Sequence, residues 1–139
     1  MFTKGLSQQT QKNLELLKKI PFISRYYLAG GTGLSLYYGH RYSFDLDFFS
    51  QTPEKSMIIA SQLKNHGRIE IVQNDENTFN GFLNEVKISF FLYPYPLIQP
   101  LNTFETIRLA SIADIACMKV DALSSRGTNN EVTKSSKGG

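Results

Sequence analysis

The period of the apolar positions changes several times along the chain, and each change marks an element. Over 7–19, Leu14, Leu16, Leu17 and Ile20 recur at helical spacing until Pro21 stops the run, which predicts a helix. Tyr26 to Ala29 is a short apolar run that predicts a strand. Gly30-Gly31 then breaks the chain, and Thr32 is placed to cap a helix through Leu34, Leu36 and Tyr37 that ends at Gly39. From Phe44 to Phe49 apolar and acidic residues alternate, as in a strand with one buried face. Thr52-Pro53-Glu54 has the order cap, Pro, acid, and predicts a helix to about Asn65. Strands are expected over 68–73, 78–83 and 86–93, the last two joined by a tight hairpin and the last ended by Pro94 and Pro96. Ser111 and Asp114 form a capping-box-like start for a helix to about Ser125.

The resulting order is α-β-α-β-α-β-β-β-α. Three successive strands late in the chain argue against a doubly wound parallel sheet. The expected class is α+β, a mixed β-sheet with helices packed mainly on one face. Residues 1–127 form the expected domain, and 128–139, with Val132 as the one apolar residue, are expected to be a disordered polar tail.

Composition narrows the class without naming a function. The 139 residues are 41% hydrophobic and 19% charged, which excludes a disordered chain or a coiled coil. The net charge is +3, and the two Lys and one Glu after residue 127 contribute +1 of it. The remaining +2 is too little to imply nucleic-acid binding. Cys117 is alone in an apolar stretch and is expected to be a reduced, buried thiol. No apolar run reaches the ~18 residues of a membrane span, and no apolar signal core follows Met1. The expected setting is cytoplasmic, with no membrane association.

Three features carry chemistry. Asp45 and Asp47 are two residues apart on a predicted strand, so both carboxylates share a face while Phe44, Leu46 and Phe48 take the other. A divalent hard cation would relieve their repulsion; a wet sheet face carrying two Asp is the plainer alternative. Gly30-Gly31-Thr32 follows a strand and opens a helix, a turn that suits a phosphate and that also occurs in any tight connection. On the 111–126 helix, Ile112, Ile115, Ala116, Ala122 and Leu123 form an apolar face with Lys119 at its centre and Arg126 beside it, while Asp114 and Asp121 lie opposite. Such a lysine either snorkels to water or meets an anion inside the fold, and the two neighbouring features favour the anion.

The run Tyr27 to Leu36 with Gly30-Gly31-Thr32, followed by Gly39 to Phe49 with Asp45-Leu46-Asp47, resembles the AbiEii/AbiGii-type toxins. These are a branch of the DNA polymerase β-like nucleotidyltransferases found in toxin–antitoxin and phage-defence systems. The resemblance continues at Val86 to Pro94, Leu109 to Leu123, and Ser125-Arg126-Gly127. It implies metal-dependent transfer of a nucleotide from an NTP to an RNA (tRNA) or protein acceptor, with an antitoxin as partner. Gly30, Gly31 and Thr32 would hold the triphosphate, Asp45 and Asp47 would hold Mg²⁺ or Mn²⁺, and Lys119 and Arg126 would lie by the nucleotide. Catalytic roles fall to Asp45, Asp47 and Lys119. Two departures stand out. The strand expected to supply a third carboxylate offers Ser89, with Glu85 at its edge, and the Arg-Asp-x-x-Asp helix that normally follows is replaced by Asn129-Asn130-Glu131. The resemblance thus implies a C-terminally truncated member. Its alternative function is a weak or inactive module that binds nucleotide or antitoxin.

Overall fold

A computed structural model describes residues 1–40 and 45–132, apart from the side chains of 124–132. The helices are α1 (Gln8–Leu17), α2 (Gly30–Tyr38), α3 (Ser56–Lys64) and α4 (Ile112–Val132). The strands are β1 (Tyr27–Ala29), β2 (Leu46–Ser50), β3 (Ile69–Asn74), β4 (Thr78–Leu83), β5 (Val86–Leu92), β6 (Asn102–Phe104) and β7 (Ile107–Leu109). They form one sheet in the order β3-β4-β5-β2-β1-β7-β6. β1 runs parallel to β7 and β2 parallel to β5, and the other pairs are antiparallel. This is the expected mixed α+β sheet, extended by β6 and β7, whose three residues each are too short for alternation to register in sequence.

The two faces of the sheet divide the core. Leu28 of β1, Leu46 and Phe48 of β2, and Ile88 and Phe90 of β5 pack with Leu14 and Leu17 of α1 and Ile59 and Leu63 of α3. Phe90 anchors this layer, stacking on Phe48 at 5.3 Å and meeting Tyr26 edge-on at 5.0 Å. On the opposite face, Tyr27 and Ala29 of β1 pack with Ala110 and with Ile115 and Met118 of α4. The site is built on this second face, where α4 is laid across and Leu34 and Tyr37 of α2 pack against the same cluster.

Several boundaries differ from expectation for local reasons. α3 starts at Ser56, because the stretch before it is held extended. The Thr52 N–H donates to Ser50 Oγ, the Glu54 N–H donates to Tyr26 Oη, and the Glu54 carboxylate pairs with Arg25. α2 begins at Gly30, so the glycines form its first turn and Thr32 does not cap it. α4 continues past Ser125 to Val132, a stretch with no proline and one glycine, each helical glycine costing about 1 kcal/mol. Residues 133–139 of the expected tail lie outside the described residues, as does Phe44. The β4–β5 hairpin is as tight as expected, turning on Asn84 and Glu85, both at positive φ. Among the described residues no helix is long and apolar enough to cross a membrane.

Candidate functional site

β1 leads straight into α2, and β2 returns antiparallel beside β1 with Ala29 opposite Asp47. That register sets the Asp47 carboxylate beside the first turn of α2. Gly30 there has φ +64°, and a Cβ on it would stand 2.5 Å from Asp47 Oδ2, so the turn requires glycine. The first-turn N–H groups of α2 have no partner within the helix and carry its positive dipole end. Asp45 precedes β2, and the burial alternation of Leu46, Phe48 and Ser50 leaves Asp45 and Asp47 on the partly exposed side.

α4 closes the other side. Gly33 admits it, since a Cβ there would stand 3.1 Å from Ile115 Cδ1. Its start is fixed by Ser111 and Asp114: the Asp114 N–H donates to Ser111 Oγ at 3.0 Å, and that hydroxyl donates back to Asp114 Oδ2 at 2.8 Å. Between α2, β2 and α4 lies a cleft of about 400 Å³, lined by Gly30, Gly31, Asp47, Phe49, Ile115, Met118 and Lys119 among others. The fold therefore brings together the glycine turn, one carboxylate of the pair and the helix lysine.

The remaining expected site residues are placed differently. Thr32 is 1% exposed, and its hydroxyl donates to the backbone carbonyl of Asp45. A buried, engaged hydroxyl is not presented to a triphosphate; Thr32 instead ties the first turn of α2 to the start of β2. The Arg126 side chain lies outside the described residues. Lys119 is not centred on a buried face. α4 buries Asp114, Ile115 and Met118, leaving Ile112 and Leu123 exposed, and Lys119 stands at the solvent side of the cleft. Asp114, expected in solvent, is buried because its carboxylate receives the N–H groups of Ile98 and Gln99 at 2.8 and 3.0 Å. Burial pushes its pKa up, but these bonds and that from Ser111 outweigh it and hold the carboxyl below its ordinary value. Cys117, expected to be buried, is exposed, since it falls on the outer side of α4.

The Asp pair suits a hard cation. Burial, and then the charge of Asp45, push the Asp47 carboxyl up to about 6, against the opposing pull of Lys87. A carboxylate disfavoured by burial and then by a like charge is one that a divalent cation held by both aspartates would relieve. Among the described residues no group of three or more His, Cys, Asp or Glu could hold a metal. The reason lies in the β5 register. Ser89, not a carboxylate, is the β5 residue paired with Asp47, and its hydroxyl donates to Asn80 of β4. Glu85 is engaged elsewhere, paired with Arg68 at 2.8 Å.

Lys87 was not singled out by sequence reasoning. It shares the β5 face of Ser89 by two-residue periodicity, but only the parallel β2–β5 register brings that face beside Asp47.

Comparison with known proteins bears on the family and the fold. The model of the family described as nucleotidyl transferase AbiEii toxin, type IV toxin–antitoxin system, matches residues 14–134. An uncharacterized Aquifex aeolicus protein, aq_aa25, is 35% identical over 132 residues, which cover 92% of this chain and 64% of that protein. The chain thus spans just under two-thirds of this curated relative. The solved structure of a candidate nucleotidyltransferase from Helicobacter pylori superposes with TM-score 0.55 at 22% identity, covering 83% of this chain and 59% of its own. JHP933 from Helicobacter pylori gives TM-score 0.54 at 23% identity, with coverages of 83% and 57%. At these identities the two structures share the fold. From the matched residues and the shared fold together, the chain belongs to the AbiEii nucleotidyltransferase toxin family.

Proposed function

We propose that the cleft between α2, β2 and α4 binds an NTP with a divalent cation and transfers its nucleotide to an acceptor hydroxyl on RNA, such as a tRNA, or on protein. The observation that carries this reading is the convergence of Gly30, Gly31, Asp47 and Lys119 on one cleft. Asp45 and Asp47 would hold Mg²⁺ or Mn²⁺, which when bound neutralises the triphosphate and orients it for in-line attack. The first-turn N–H groups of α2 would receive phosphate oxygens. Lys119 would place a positive charge where negative charge develops on the leaving group. The acceptor oxygen bonds to the α-phosphorus, the bond to the bridging oxygen breaks, and its electron pair leaves on pyrophosphate. Ser89, the β5 residue paired with Asp47, is no base, so the acceptor proton would pass to water, which would make turnover slow.

The same Ser89 favours a second reading, in which the module binds nucleotide without appreciable turnover. In either case the sheet and its helices, α4 included, form the working unit, an antitoxin protein is its partner, and the cytoplasm, where NTP is supplied, is its setting. Incubation with each α-³²P-NTP, Mg²⁺ or Mn²⁺, and RNA or protein acceptors tests the first reading. Label transfer that Asp47→Asn abolishes supports it; cation-dependent NTP binding without transfer supports the second.

A further inference from the structure

Tyr27 and Phe49 are cross-strand partners two residues along from Ala29 and Asp47, and their rings stack with centroids 6.2 Å apart. They divide the α4-side face of the sheet in two. Beyond them, at the opposite end of β1 and β2 from the Asp pair, is a second cleft of about 310 Å³. Its polar lining comes from Arg25, Tyr27, Ser50, Gln51, Thr52 and Arg108. Tyr27 is only 4% exposed, yet among the described residues its hydroxyl has no hydrogen-bond partner, and the buried Nε of Arg108 has none either. A buried donor without an acceptor costs stability, so two of them lining one cleft call for an explanation.

We propose that this cleft is a second ligand site, separate from the nucleotide cleft, that takes a phosphate group. A bound oxygen acceptor would give each of these two donors the partner it lacks. The donors nearby are those of two guanidinium groups, a phenol, the Thr52 hydroxyl and the Gln51 amide. They exceed what the two oxygens of a carboxylate can accept and suit the oxygens of phosphate, for which the arginine fork is the matching donor. Two of these groups are partly engaged, Arg25 with Glu54 and Gln51 Nε2 with the Pro94 carbonyl at 3.2 Å. The nearby Asp114 carboxylate is already held by Ile98, Gln99 and Ser111, which leaves Arg108 as the cation to be met by a ligand. Leu97 and Leu101 supply an apolar wall for whatever carries the phosphate. None of these residues acts in the proposed transfer, so the inference stands or falls separately from it.

The test is titration with inorganic phosphate, AMP, a six-nucleotide single strand and acetate in EDTA, followed by calorimetry and thermal shift, so that no divalent cation recruits phosphate to the Asp pair. Saturable phosphate binding is expected in the wild type and in Asp47→Asn, weakened about tenfold or more by Arg108→Gln and less by Tyr27→Phe. Tyr27→Phe keeps the ring and removes only the orphan hydroxyl, so it decides the matter if Arg108→Gln fails to fold. Arg108-dependent binding of the strand tighter than that of phosphate identifies a polynucleotide backbone as the source. Equal affinities identify a free phosphate or mononucleotide. No saturable phosphate binding, binding indifferent to both substitutions, or acetate competing as well as phosphate overturns the proposal.

Discussion

Gly30 and Asp47 meet across the space a side chain would fill: a Cβ on Gly30 would stand 2.5 Å from Asp47 Oδ2 and 3.3 Å from its Cγ. The carboxylate and the first turn of α2 therefore form one surface, and substitution at either residue disturbs both. Gly30→Ala adds a methyl at φ +64° as well as this clash. It is expected to cost about 2 kcal/mol or more in chemical denaturation and to remove cation-dependent NTP binding.

Asp47→Asn is expected to stabilise the protein at neutral pH. The Asp47 carboxyl is raised from 3.8 to about 6, so the unfolded chain ionises first as pH rises and the native state carries the penalty. The wild type thus loses stability between about pH 4 and pH 6 relative to the variant, by roughly 1–3 kcal/mol at pH 7, and the difference vanishes near pH 3. Denaturation of both proteins across this range measures it; a variant less stable than wild type at pH 7 contradicts the assignment. Mg²⁺ should narrow the gap at pH 7 by stabilising the wild type alone.

Thr32→Val keeps the buried volume and removes the hydroxyl that donates to the Asp45 carbonyl. The loss is expected to be about 1–2 kcal/mol, with a weaker apparent affinity for divalent cation, because the start of β2 is no longer tied to α2. A stability loss with unchanged cation affinity would confine Thr32 to the fold.

Lys119→Met removes charge at the solvent side of the cleft and leaves the apolar stem. Stability should stay within about 1 kcal/mol of wild type while NTP affinity falls. Calorimetric titration with NTP and Mg²⁺ separates the two effects.

Much of the site was legible because its signals are local. Gly30-Gly31 at a strand–helix junction and the two-residue spacing of Asp45 and Asp47 each describe one element, and the antiparallel return of β2 beside β1 joins them. Lys119 was placed at the cleft by a helix pattern whose phase was wrong. The wheel took Ile112 and Leu123 as core, whereas they are 39% and 53% exposed. The helix is turned because Asp114 is drawn inward by the N–H groups of Ile98 and Gln99, donors from a loop that α4's own periodicity cannot reveal. Thr32 has the chemistry of a cap and sits near a helix start, but its acceptor is the Asp45 carbonyl, 13 positions on. Lys87, Ser89 and Asn80 needed the sheet order, since β5 lies beside β2 only through the crossover that carries α3, β3 and β4.

Asp45, Asp47 and the α2 turn are proposed to form one site for a divalent cation and a triphosphate. This is tested most directly by calorimetric titration of a non-hydrolysable NTP analogue into the wild type and into the Asp45→Asn/Asp47→Asn double variant, with Mg²⁺ and with EDTA. Saturable binding to the wild type is expected in Mg²⁺, with its loss in EDTA and its loss in a folded double variant. Equal binding by the two proteins in Mg²⁺, or wild-type binding undiminished by EDTA, would contradict it.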